Sequence, residues 1–319
     1  MANAMNGESM FDFAPATKPT LYFIGVTTTK SSIMKVFPKW AEALGLGDVD
    51  IKGIDLPLHA PAEDYRKVTR FIKDDPLSEG ALVTTHKLDL YAACGDIFDY
   101  ADPFAEKLEE VSSLSKKDGM FCAHAKDPIS SGLALESFVP DGFWQERGGE
   151  VLLLGAGGSS LAMSIYFGQE KWGANVPRVI TIANRSEPRL ESARRTLANL
   201  NPKIEMRYVH SPTPADNDRL VRALPPHSLI VNATGLGKDA PGSPTTDAVE
   251  YPDHALVWEI NYRGDLLFKD QALAQPREKG LHVEDGWNYF IHGWTQVIAE
   301  VFHIDIEGKL LEELSRIAR

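Results

Sequence analysis

The residues best suited to chemistry in this chain are Gly155-Ala156-Gly157-Gly158-Ser159 and Asn184-Arg185-Ser186. An apolar run, Val151–Leu154, leads into the glycine turn. A buried strand that turns on glycine and opens a helix can receive a pyrophosphate. Gly155 permits the tight turn, and Gly157 lets phosphates approach backbone N–H groups at the helix start. The third small position is Ser160 rather than glycine. A second apolar run, 179–183, ends in Asn184-Arg185-Ser186, with Arg189 one helical turn on. A site for NAD carries Asp or Glu at this strand end. An arginine there offers a planar cation to a 2′-phosphate, so the pattern points to NADP(H).

Composition narrows the classes. At 319 residues the chain can hold two domains, and 43% hydrophobic with 24% charged residues fits a globular protein. A net charge of −12 disfavours nucleic acid and anionic membranes as main partners but leaves small anionic ligands open. No apolar run reaches the roughly 20 residues that span a bilayer, and the start lacks a basic-then-apolar secretory pattern. Cys94 and Cys122 stand alone without metal-ligand spacing, so a cytoplasmic protein without a metal is expected.

Periodicity and turn residues predict how these groups are carried. Strands are expected at 20–26, 49–56, 80–84, 111–115, 120–124, 151–154, 179–183, 205–209, 228–232 and 255–260. Helices are expected at 33–46, 62–74, 88–94, 103–108, 131–138, 190–200 and 216–224, then through 289–319. Pro38 should lie in the first turn of its helix or bend it. Lys116-Lys117-Asp118-Gly119 reads as a hairpin turn, and the Pro- and Gly-rich stretch 238–253 as a mobile surface loop.

With these motifs in order, the chain resembles the shikimate/quinate dehydrogenase family over roughly residue 21 to its end. Six segments carry the resemblance. Ser31-Ser32 follows Gly25 where the family has Ser-x-Ser, with Ile33 falling on the second serine. Val83-Thr84-Thr85-His86-Lys87 resembles Val-Thr-x-Pro-x-Lys, one residue shorter and without the proline. Val111-Ser112-Ser113-Leu114, Asp118-Gly119 and Asp127 are similar to Ala-Val-Asn-Thr-Leu, Asp-Gly and Asn-Thr-Asp, with Ala125-Lys126 at the Asn-Thr. The glycine turn and Asn184-Arg185-Ser186 are the fourth and fifth. Asn232-Ala233-Thr234 is the sixth, near the nicotinamide ribose in the family. Further on, Glu259-Ile260-Asn261-Tyr262 aligns with Asp-x-x-Tyr, and Gly286 starts the family's Gly-x-x-Met-Leu-x-x-Gln. The glutamine position falls on Gly293, with Gln296 nearby.

The resemblance implies an α/β fold: an N-terminal α/β substrate domain, a C-terminal NADP-binding Rossmann domain, and final helices returning to the first domain. The expected division is a disordered tail at 1–19, a catalytic domain at 20–130 plus 289–319, and the Rossmann domain at 131–288. It implies Lys87 and Asp127 as the catalytic pair, a charge-coupled ammonium and carboxylate able to relay a proton. Substrate contacts are expected from Ser31, Ser32, Thr84, Ser112, Tyr262 and Gln296. Ser32 is equally suited to capping the helix after it. Cofactor contacts are expected from Gly155, Ala156, Gly157, Gly158, Ser159, Asn184, Arg185, Ser186, Arg189, Asn232, Ala233 and Thr234.

The implied activity is reversible hydride transfer between NADPH and a ring ketone such as 3-dehydroshikimate, in a monomer or homodimer. The departures cluster on substrate contacts, which favours a changed ligand over lost chemistry. A quinate-like acid or other cyclitol, or a non-catalytic NADP-binding regulator, therefore stays open. Trp287, Tyr289, His292 and Trp294 suit either a reshaped pocket or the core.

Overall fold

The computed structural model describes residues 13–237 and 240–319. The chain divides into two compact units: residues up to Lys126 together with Trp294–Arg319, and Asp127–Gly293.

The first unit contains β1 (Thr20–Gly25), α1 (Ile33–Ala43), β2 (Asp50–Asp55), α2 (Ala62–Asp74) and β3 (Ser78–Val83). It continues with α3 (Lys87–Cys94), β4 (Tyr100–Ala101), α4 (Pro103–Leu108), β5 (Ser113–Lys117) and β6 (Met120–His124). The sheet order is β2-β1-β3-β5-β6-β4, with β5 antiparallel to both neighbours. Side-chain alternation on β1 sorts the two faces. Tyr22 and Ile24 join a core with Tyr65, Val68 and Ile72 of α2 and Leu90 of α3. Phe23 points the other way, its ring 4.9 Å from Trp294. Asp118 and Gly119 have φ of 51° and 78°, which closes the two-residue hairpin between paired Lys117 and Met120.

The second unit contains α5 (Asp127–Glu136), α6 (Phe143–Arg147), β7 (Val151–Leu154), α7 (Gly158–Phe167) and β8 (Val179–Asn184). It continues with α8 (Glu187–Thr196), β9 (Glu205–His210), α9 (Pro214–Arg222), β10 (Leu229–Asn232), β11 (Leu256–Glu259), α10 (Leu267–Leu273) and β12 (His282–Glu284). Its sheet is wholly parallel in the order β12-β11-β10-β7-β8-β9, a doubly wound arrangement that reverses direction between β7 and β10. Leu152, Ile230 and Val257 anchor one face against Val221 of α9 and Phe268 of α10. The chain ends in α11 (Trp287–Phe302) and α12 (Gly308–Ile317). The indole N–H of Trp40 on α1 donates to the Leu314 carbonyl of α12 at 2.8 Å.

Several details depart from the sequence expectation. Helix α5 starts at Asp127, four residues before the expected 131, because Pro128 sits in its first turn, where a missing N–H breaks no helical bond. Pro38 stands past the first turn of α1. Strands β4 and β12 and helices α6 and α10 were not expected. Of the expected tail, residues 1–12 lie outside the described residues; Phe13 stacks on Phe71 at 4.9 Å and Ala16 N–H donates to Asp75. Of the expected mobile stretch, 238–239 lie outside the described residues. The rest is tied down: Thr246 N–H donates to Asp218, and Val249 and Tyr251 are buried. Gln271 and Gln275 of the following segment also hold it, donating to the Thr245 and Val249 carbonyls at 3.2 and 3.0 Å, so polar and apolar contacts together dock the stretch. No helix among the described residues is long and apolar enough to cross a membrane.

Candidate functional site

A crevice of 620 Å³ in the second unit opens at the C-terminal ends of β7, β8 and β10. Its floor is the turn after β7. Gly155 has φ of 111°, and a Cβ there would stand 2.6 Å from the Ala233 carbonyl oxygen, so only glycine fits. At Gly157, the N-cap of α7, a Cβ would meet no atom within 4 Å. That open side faces the crevice it lines. Ser160 replaces the third glycine and donates its hydroxyl to the Gly155 carbonyl at 2.7 Å.

The side wall follows β8. Asn184, Arg185, Ser186 and Arg189 line the crevice, and both arginines are exposed. Among the described residues no carboxylate lines it. Ala156, Ala233 and Thr234 also line it; Gly158, Ser159 and Asn232 are not among the lining residues, although Gly158 and Ser159 are only half-buried. Ser159 accepts a 3.5 Å hydrogen bond from Tyr289, and Asn232 is fully buried. Sequence reasoning missed Ser211, Pro212, Thr213, Asn217 and Pro244, which complete the wall. For Thr213 a signal was present: Thr213 and Asp216 form a reciprocal capping box that starts α9.

Below the 233–237 loop lies Glu259, with no solvent exposure. Its carboxylate accepts from Asn232 Nδ2 at 2.6 Å, Asn261 N at 2.9 Å and Asn261 Nδ2 at 2.7 Å. Burial pushes this carboxyl up to about 7, against the pull of those hydrogen bonds. Tyr262 is half-buried, its ring 4.4 Å from Phe290 and 6.3 Å from Trp287.

The first unit gathers its expected residues along one end of its sheet. Ser31 and Ser32 follow β1, and Thr84 follows β3 with its N–H on the Ile24 carbonyl at 3.0 Å. Because β5 runs antiparallel to β3, Ser112 arrives at that same end, its carbonyl accepting Val83 N–H at 2.9 Å. Lys87 opens α3, half-buried, with its carbonyl accepting Val111 N–H at 3.2 Å. The segment between Thr84 and Lys87 closes on Thr85 at φ of 55°, an uncommon conformation for a β-branched residue. Buried His86 accompanies it, its Nδ1 3.0 Å from Tyr65 OH, and burial lowers its pKa. Ser32 is exposed and its side chain makes no capping bond. Ile33 is fully buried, so it offers no polar contact. Gln296 is half-buried on α11.

Ser112 is 3% exposed, and its hydroxyl accepts Lys126 N–H at 2.7 Å. Lys126 Nζ pairs with Glu300 on α11. Glu300 also lies 3.3 Å from His124 Nε2, while His124 Nδ1 lies 3.6 Å from Asp102. Burial alone would raise both carboxyls. For Glu300, Lys126 and then His124 outweigh it; for Asp102, His124 and two backbone N–H groups do, so both stand below the ordinary carboxylate range. Asp127 follows Lys126 directly and opens α5 in the second unit, 9% exposed.

No family model matches the chain. The shikimate dehydrogenase (NADP(+)) of Methylocella silvestris is 24% identical over 303 residues, spanning 95% of this chain and 96% of its own. That of Methylobacterium radiotolerans is 26% identical over 286 residues, spanning 86% and 88%. Among solved structures, the quinate dehydrogenase from Corynebacterium glutamicum in complex with NAD shares the fold with a TM-score of 0.73 at 17% identity, over 94% of this chain and 98% of that one. The shikimate dehydrogenase of Aquifex aeolicus does so with a TM-score of 0.70 at 19% identity, over 95% and 100%. The chain is thus similar to NADP(+) shikimate dehydrogenases along nearly their whole length, and it shares the two-sheet fold of the shikimate and quinate dehydrogenases.

Proposed function

We propose that this protein is an NADP(H)-dependent oxidoreductase that interconverts a ring ketone and the corresponding alcohol on a polyhydroxylated cyclic acid or cyclitol, such as 3-dehydroshikimate and shikimate. One observation carries the reading. The crevice joins an open glycine cradle at Gly157 to Arg185 and Arg189, the donor set suited to a pyrophosphate and a 2′-phosphate. The full-length relatives named as NADP(+) shikimate dehydrogenases support it.

When bound, NADP(H) supplies the hydride that reaches the carbonyl carbon. In this reading Lys87 Nζ gives a proton to the carbonyl oxygen as negative charge develops there, and takes it back in the reverse direction. Asp127 orients the ammonium and a substrate hydroxyl. Ser31, Ser32, Thr84, Ser112, Tyr262 and Gln296 are the proposed substrate contacts. Ser112 contributes with a hydroxyl already holding the Lys126 N–H.

A second reading, a non-catalytic NADP-binding regulator, is favoured by the buried Ile33 and by Gly293 at the family's glutamine position. Absorbance of the reduced nicotinamide separates the two, using shikimate, quinate and other cyclitols as the panel. Turnover of any panel member, faster with NADP(H) than NAD(H), is expected. Tight NADPH binding without turnover gives the regulator. A protein that binds no NADPH overturns both.

A further inference from the structure

The Glu259 carboxylate does more than accept from two neighbouring side-chain amides. Asn232 Nδ2, besides donating to Glu259, lies 3.2 Å from the Leu236 carbonyl; Asn261 Nδ2 reaches the same carbonyl at 3.3 Å. Two amide groups thus bridge one buried carboxylate and one loop carbonyl. A side-chain amide can be turned end for end, and only its partners decide which way it faces. An ionised carboxylate accepts at both oxygens and donates nothing, so it forces both Nδ2 groups inward. The Asn232 Oδ1 is thereby turned toward the loop, where it accepts Thr234 N–H at 3.1 Å and Thr234 Oγ1 at 2.7 Å. Thr234 Oγ1 in turn accepts Leu236 N–H at 3.1 Å. Ala233, Thr234, Gly235 and Leu236 are crevice wall.

We infer that Glu259 is a positioning residue: by fixing the orientation of Asn232 and Asn261 it holds the 233–237 loop in the shape that receives the nicotinamide half of the cofactor. This rests on reading the crevice as an NADP(H) site. The sheet order assigns the halves. Arg185 and Arg189 follow β8, on one side of β7, and the clamped loop follows β10, on the other. A dinucleotide seated on the β7 turn with its 2′-phosphate at the arginines therefore has its other half at β10.

The test measures dissociation constants at pH 8 for NADPH and for adenosine 2′,5′-bisphosphate, which lacks the nicotinamide half. In Glu259→Gln a side-chain NH2 faces donors where an acceptor stood. NADPH affinity should fall about tenfold or more, about the effect of one misplaced buried hydrogen bond, while the bisphosphate changes less than about twofold. Circular dichroism checks folding. If that variant does not fold, Asn261→Ala, which removes one of the two amides, should show the same selective loss. Equal weakening of both ligands, or unchanged NADPH affinity in a folded variant, overturns the inference alone. A wild-type protein that binds neither ligand overturns the cofactor reading and the inference with it.

Discussion

Ser160 Oγ donates to the Gly155 carbonyl at 2.7 Å, from a position with no solvent exposure. The residue that weakens the glycine pattern in the sequence thus closes the glycine turn in space, tying the first turn of α7 back to the end of β7. Ser160→Ala should lower unfolding free energy by about 1 kcal/mol, the usual worth of a buried hydrogen bond. Ser160→Leu should lower it by about 3 kcal/mol, since the site has no room. Urea denaturation of the three proteins checks both values.

Gly155 and Gly157 stand two residues apart and should fail differently. An alanine at 155 meets the backbone of Ala233 and must adopt φ of 111°, so Gly155→Ala should lose folded protein. An alanine at 157 meets nothing and needs no unusual φ, so Gly157→Ala should melt like wild type. Its methyl group stands in the cradle, and NADPH affinity should fall about tenfold. Thermal melts beside NADPH titrations read the two effects separately.

Lys87→Ala should cut turnover by about 100-fold or more while leaving NADPH affinity within about twofold, as expected when a proton donor is lost and the cofactor site is not. Steady-state rates with the best panel substrate, alongside a cofactor titration, check this. Undiminished turnover would remove Lys87 from the chemistry.

Asp102 and Glu300 are held below the ordinary carboxylate range by His124, Lys126 and backbone N–H groups. Each is depressed in the folded chain, so its stabilisation is present above the unfolded carboxyl pKa and fades as pH falls below about 4. Glu300→Gln should therefore flatten the acid limb of the melting curve between pH 5 and 3. At pH 7 it should cost about 2 kcal/mol. That is less than a fully buried pair, because the Glu300 side chain keeps 21% exposure. Melting temperatures across that pH range give both numbers.

What the sequence determined alone are the features set by neighbours in the chain. The glycine turn announces itself through the φ of 111° that Gly155 adopts, a local demand, although the close approach of Ala233 reinforces it in space. The hairpin needs Asp118-Gly119, and α4 needs Asp102, whose carboxylate caps Ala105 N–H at 2.7 Å ahead of Pro103. The basic end of β8 was legible for the same reason: a strand end and its next two residues are local.

Tertiary structure decided whatever depends on distant partners. Strand β4 has two residues and β12 three, too short to show a period; each exists because β6 or β11 offers an unpaired edge. Lys126 and Glu300 lie 174 positions apart, and no spacing rule connects them. The Glu259 clamp spans 27 positions to Asn232, and it forms because β10 and β11 run side by side, with Asn232 in register with Glu259. Periodicity marks which face of a strand is buried; only the register between strands decides which buried polar groups meet.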